Sequence, residues 1–161
     1  MIIFIRTFLI LSLILLFSCK NNKEVSKPEI KNEDLNILMI EAYQEGLNEL
    51  ENGYAILAAK KFNEAEILFP QSIWAPRSSL MAAYSYYSMD YYEDSINELI
   101  RFLKTYPNNI RTDYARYLLA INYYEQIINE KKDLGPILDA KNNFIIVKEN
   151  FPDSDFALDA E

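Results

Sequence analysis

Residues 46–70 read GLNELENGYAILAAKKFNEAEILFP, and five of them set the fold. Gly46 lies in a stretch whose apolar residues recur at three- and four-residue spacing, the mark of a one-sided helix. Such a helix needs a small residue where a partner helix crosses closely. Ala58 then supplies a small residue near the start of a second helix. Phe62 and Ala65 follow at four and seven positions, forming a stripe that faces the first helix. Pro70 ends the second helix, because its ring removes an amide donor and crowds the preceding turn. Ser72, two places on, is suited to cap the next helix.

The same punctuation returns further along. Gly46, Ala83 and Ala120 are small residues at a constant spacing of 37. Ala58 and Ser95, Phe62 and Leu99, Ala65 and Phe102, and Pro70 and Pro107 keep that offset. A third unit continues with Ala140, Phe144, Val147 and Pro152, now 45 residues later. The eight extra residues fall within 126–135, between two helices, where added loop length costs little. Capping residues recur at Ser72, Asn109 and Ser154. Periods of this length are the signature of stacked helical hairpins. The pattern predicts helices near 35–51, 54–68, 73–89, 91–105, 110–128 and 136–150, with a seventh from Ser154.

This spacing resembles the tetratricopeptide repeat, which carries small residues at its eighth and twentieth positions. An aromatic at the twenty-fourth, alanine at the twenty-seventh and proline at the thirty-second complete that pattern. Gly46, Ala58, Phe62, Ala65 and Pro70 fit all five. The implied fold is an all-α tetratricopeptide-repeat solenoid of about three repeats plus the start of a fourth. The repeat domain is expected over 34–161, with units at 39–72, 76–109 and 113–153 and a further start at 154–161. Stacked repeats bury their faces on their neighbours, so the expectation is an array that continues or takes a partner.

In such arrays the first helix of each unit lines the concave face. The inward positions are Ile40, Tyr43, Leu47 and Leu50, then Arg77, Leu80, Tyr84 and Tyr87, then Tyr114, Tyr117, Ile121 and Tyr124. Tyrosine combines a large apolar face with a hydroxyl and loses little entropy on binding. The candidate peptide-binding set is Tyr43, Leu47, Arg77, Leu80, Tyr84, Tyr87, Tyr114, Tyr117 and Tyr124. An extended peptide with aromatic residues suits this groove, with Arg77 placed to pair a carboxylate. The same tyrosines also suit packing between neighbouring repeats, and Trp74 reads as a core or staple residue.

At the other end of the chain, Arg6 precedes an apolar run, 8–18, that is short for a membrane span. It ends at small Ser18 beside Cys19, the sole cysteine. Leu16-Phe17-Ser18-Cys19 resembles the lipobox of bacterial lipoproteins. That resemblance implies a signal peptide over 1–18, cleavage before Cys19, and acylation (palmitate among the chains) of its thiol and new amino group. An ordinary secretory signal with a chance cysteine is the alternative. Two or more acyl chains anchor stably, each buried methylene contributing about 0.8 kcal/mol. Residues 19–33 are polar and charged and read as a flexible tether. Lys20 and Asn21, with no aspartate after the cysteine, lean toward the outer membrane.

Composition excludes several functions. Without the leader, 15 Lys and Arg face 24 Asp and Glu. That acidic balance argues against nucleic acid as a partner. The chain has no histidine, so no conventional nucleophile triad can be built. Three scattered glycines make no phosphate loop, and His/Cys metal ligands are missing. The reading is a non-enzyme with no cofactor and no metal.

Several segments carry a narrower likeness. They are Trp74-Ala75-Pro76-Arg77, Tyr91-Tyr92-Glu93-Asp94, Asp113-Tyr114-Ala115-Arg116-Tyr117-Leu118, Tyr123-Tyr124-Glu125-Gln126-Ile127 and Phe151-Pro152-Asp153-Ser154. With the lipobox, they resemble the BamD (ComL-like) family of tetratricopeptide lipoproteins over residues 38–161. The resemblance implies a lipid-anchored subunit on the periplasmic face of the outer membrane. Its implied partners are the barrel-assembly subunit, sibling lipoproteins and unfolded outer-membrane proteins. Family members carry about five repeats, of which about three and the start of a fourth are read here. Another periplasmic tetratricopeptide lipoprotein, such as a secretin pilotin or a cell-wall scaffold, is the alternative.

Overall fold

The computed structural model describes residues 32–127 and 134–160. The leader, Cys19, the tether up to residue 31 and the centre of the insertion lie outside the described residues. Among the described residues seven helices follow in order: α1 (Asn32–Glu51), α2 (Ala55–Leu68), α3 (Trp74–Tyr87), α4 (Tyr92–Thr105), α5 (Thr112–Glu125), α6 (Gly135–Asn150) and the short α7 (Asp155–Asp159). Each packs on the helix before it and the helix after it, and α7 also touches α5. This nearest-neighbour pattern is that of a solenoid. The all-α tetratricopeptide-like architecture read from the sequence is what the chain adopts.

Small departures at the ends have local causes. α1 begins at Asn32 and so takes in the last residues of the expected tether; Glu33 and Asp34 in its first turn favour the positive end of the helix dipole. α5 begins at Thr112 rather than 110, because Asn109 holds a turn ahead of it. The Asn109 side chain accepts from the Arg111 amide at 2.9 Å, and its carbonyl accepts from Thr112 at 3.1 Å. The Ser72 hydroxyl caps the Ala75 amide and the Ser154 hydroxyl caps the Phe156 amide. All three capping residues therefore act at the same place in successive units.

The turn inside each hairpin also repeats. Gly53 has φ of 78° and Asp90 has φ of 64°, 37 residues apart. The residue after each closes the same wide turn, Tyr54 onto the Glu49 carbonyl and Tyr91 onto the Tyr86 carbonyl. A left-handed residue suits glycine. Asp90 tolerates it with a compensating bond, since the Tyr92 hydroxyl donates to its carboxylate at 2.8 Å.

Inside the hairpins, Gly46, Ala83 and Ala120 are all buried, as are Ala58, Ser95 and Ala140. Gly46 is necessary in the first unit. A methyl group at its Cα would come within 2.9 Å of the Phe62 ring. The second unit carries Ala83 with Leu99, both fully buried in one cluster, so a larger first residue meets a smaller second one.

Units one and two are further tied on the second-helix side. Glu66 of α2 is nearly buried and accepts both terminal nitrogens of Arg101 from α4, at 3.0 and 2.7 Å, and the Tyr106 hydroxyl at 2.7 Å. Arg101 also reaches Glu98, Asn63 and Ser79. Bidentate geometry makes this a strong contact. Because the Arg101 side chain is 40% exposed, water moderates its worth. Where Ser78, Ala82 and Ser85 are buried in unit two, unit one has exposed Glu41, Glu45 and Asn48. That polar face suits the solvent-facing edge of a stack.

The Gly46–Phe62 contact gives a direct test. In a helix, Gly→Ala gains about 1 kcal/mol, whereas overpacking a core costs about 1–3 kcal/mol. Gly46→Ala should therefore lower stability by about 1 kcal/mol in urea unfolding. In a Phe62→Leu background, which copies the second unit, the same change should become neutral or stabilising.

Candidate binding groove

The first helices α1, α3 and α5 present the residues expected to line a groove, and the structure sorts them into three groups. Tyr43 is buried rather than open. Its ring lies between Phe62 at 5.1 Å and Trp74 at 5.4 Å, both edge-on. Arg77 lies over this pair, 4.9 Å from the Trp74 ring and 5.7 Å from Tyr43. Tyr43 thus belongs to the core, as a residue that joins unit one to unit two. Leu47 stays at the surface on the same helix.

The second group forms a cleft of about 570 Å³ between α3 and α5. Arg77, Leu80, Tyr84 and Tyr114 line it, as the sequence pattern suggested for an inward face. Leu80 is buried at its floor, and Tyr84 is 37% exposed at its wall. Tyr87 continues the aromatic surface, 6.4 Å from Tyr84 and 6.2 Å from Tyr92. The volume is in the range of ordinary ligand sites.

In the third group the rings are partly covered. Tyr114 and Tyr117 pack against Phe156 of α7 at 5.1 and 5.3 Å, and Tyr117 also meets Phe144 at 6.0 Å. Tyr124 is well exposed but lines a separate depression with Ile127, Ile137 and Phe144. Sequence reasoning missed Ile73, Ile110, Arg111 and Phe156, all of which line the cleft. The two isoleucines sit 37 residues apart and are each 89% exposed. That shared offset was the signal that could have found them; they escaped because they precede the helices and fall outside helical periodicity.

Burial, then neighbouring Tyr84 and Tyr87, pushes the Tyr114 phenol up to about 12. Burial also raises Tyr87 and Tyr117. Near neutrality these phenols are uncharged and can donate or accept hydrogen bonds. Among the described residues no cluster of acidic groups or thiols is arranged to hold a metal. No helix among them is long and apolar enough to cross a membrane.

Comparison with known proteins fits this architecture. Residues 36–161 match the YfiO family, described as an outer membrane lipoprotein. The chain belongs to the YfiO family. A relative from Caulobacter vibrioides, named outer membrane protein assembly factor BamD, is 32% identical over 137 residues, covering 85% of this chain and 44% of that protein. Proteins of the same name from Rickettsia prowazekii and Neisseria meningitidis serogroup B are 29% and 27% identical, covering 91% and 90% of this chain. They are matched over 56% and 57% of their own lengths. The chain therefore spans about half the length of these relatives. The BamD-like resemblance carried by the repeat segments agrees with this YfiO membership.

The raised phenols set a pH dependence. Tyr114 holds its proton more tightly folded, near 12, than unfolded, near 10. Its contribution is full below about pH 10 and is lost as pH rises toward about 12. Urea midpoints should fall across that alkaline window, and Tyr114→Phe should make the fall shallower. An equally steep fall in the variant would contradict the assignment.

Proposed function

We propose that this chain is a non-catalytic subunit of the machinery that assembles outer-membrane β-barrel proteins. It is held at the periplasmic face of the outer membrane by acyl chains on Cys19, with the residues that follow Cys19 linking the anchor to the repeats. It binds the barrel-assembly subunit and sibling lipoproteins, and it receives unfolded segments of outer-membrane proteins. Membership of the YfiO family and similarity to relatives named outer membrane protein assembly factor BamD support this reading.

The observation that carries the substrate part is the continuous tyrosine surface of α3, with Tyr84 and Tyr87 beside an open cleft. Unfolded barrel strands alternate apolar and polar side chains. Rings that are apolar on the face and hydrogen-bonding at the tip suit such segments. Rigid tyrosines also lose little entropy on contact, which favours binding many related sequences without a fixed register. Arg77 at the rim offers a guanidinium to a carboxylate.

Peptide affinity tests the reading. A labelled strand-like peptide ending in phenylalanine should bind the purified protein. The Tyr84→Ala/Tyr87→Ala protein should bind it about tenfold more weakly, with its helical circular dichroism retained. Unchanged affinity in that variant would remove the tyrosine surface from the account.

A further inference from the structure

The turns that join one hairpin to the next carry a repeated, open isoleucine. Ile73 lies between α2 and α3, and Ile110 lies between α4 and α5, 37 residues later. Each is 89% exposed, and Ile67, in the last turn of α2, is 76% exposed. A single surface isoleucine is ordinary; several at neighbouring turns, rimmed by polar groups, mark a contact with a partner or a membrane. The polar rim is cationic at the second turn. Lys104 ends α4 and Arg111 follows Ile110; both are exposed, and among the described residues neither takes part in an ion pair. The third turn differs. Asp155 stands in the isoleucine place there, beside exposed Asp153.

This is also the edge at which the chain enters the repeats. α1 and α2 pack as a hairpin, so the start of α1 shares an edge with the end of α2. The hairpin turns at Gly53 and Asp90 occupy the opposite edge. Helices of 14 residues set the two edges about 20 Å apart. Residues 20–31 connect Cys19 to α1 and can span at most about 45 Å. Acyl chains on Cys19 would therefore bring lipid first to the isoleucine edge. A tether makes a second, weak contact intramolecular, at an effective concentration on the order of millimolar, so a few apolar side chains suffice. Apolar residues with cations beside them suit the headgroup boundary. Glu33 and Asp34 at the start of α1, and Asp153 and Asp155, carry the opposite sign, which centres the contact on the two isoleucine turns.

We infer that the edge formed by Ile73 and Ile110 rests on the lipid surface, with both side chains in the headgroup layer and Lys104 and Arg111 against lipid phosphates. This rests on the reading that Cys19 is acylated, and it adds an orientation. The first helices stand with their N-terminal ends toward the membrane, and the hairpin turns point away from it. Lipid suits this edge better than a protein partner does, because the side chains protrude singly from turns and form no continuous helix face.

Quenching by labelled lipid tests this on the full-length acylated protein, in vesicles of phosphatidylethanolamine and phosphatidylglycerol with a doxyl-labelled fraction. A fluorophore is attached at Gln71→Cys beside Ile73 or, on the opposite edge, at Met89→Cys; Cys19 is blocked by its own acyl chain. Quenching at 71 should exceed that at 89 by about twofold or more. Adding Ile73→Ser and Ile110→Ser should bring quenching at 71 down to the level at 89, with the melting temperature unchanged because neither side chain is buried. Equal quenching at 71 and 89, or quenching at 71 that survives the two serine substitutions, would overturn the edge contact while leaving the anchor in place. Protein that fails to float with the vesicles would overturn both.

Discussion

Everything in this structure depends on how closely two helices of one hairpin can cross. In units one and two the crossing carries a ring or a methyl group but not both, whereas unit three carries Ala120 with a Phe144 that stays half-buried. Unit one solves this with no side chain at Gly46 against Phe62. Unit two uses a methyl at Ala83 with the smaller Leu99. Tight interiors feel a change of even one methylene, so these pairs fix the depth at which each second helix lies on its first. Once that depth is set, the second helix ends beside a proline and the capping residue starts the next hairpin. A fixed step, repeated, brings equivalent residues of successive first helices onto one face.

The repeat then decides where the stack is closed and where it is open. Between units one and two, the Tyr43–Trp74 rings close the first-helix side and the Glu66–Arg101 contacts tie the second-helix side. Between α5 and α7 the Tyr117–Phe156 rings close it again. Only between α3 and α5 is the ring pair replaced by Leu80 and Arg111. An otherwise uniform stack carries an opening at one junction, and the aromatic surface of Tyr84 and Tyr87 leads up to it. The cleft between α3 and α5 thus lies where one repeated contact is left out.

Much of the fold was legible because it is written in short-range signals. Ser72, Asn109 and Ser154 cap, Pro70 and Pro107 stop, and small residues recur at a fixed offset; each acts within a few residues of itself. The helix bounds followed to within about three residues. The groove was legible only in part. Helical position put Tyr84 and Arg77 on the side where the cleft lies, but it could not show that Tyr43 would be covered, because the covering ring, Trp74, comes from the next unit. Tyr114 and Tyr117 were likewise met by Phe156 from beyond a loop of unusual length. Periodicity within one helix reports which way a side chain points; what it meets there depends on a residue tens of positions away. The pairing of 43 with 74 becomes readable only when the repeat register is applied to both partners at once.

The central claim is that one register rule both closes the stack and leaves its opening. A crystal structure of the Leu80→Tyr/Arg111→Trp protein tests it most directly. The account predicts that the two introduced rings meet at about 5 Å, as ordinary aromatic pairs do, and fill the cleft while the neighbouring hairpins keep their positions. Rings turned away into solvent above an unchanged cleft would contradict it.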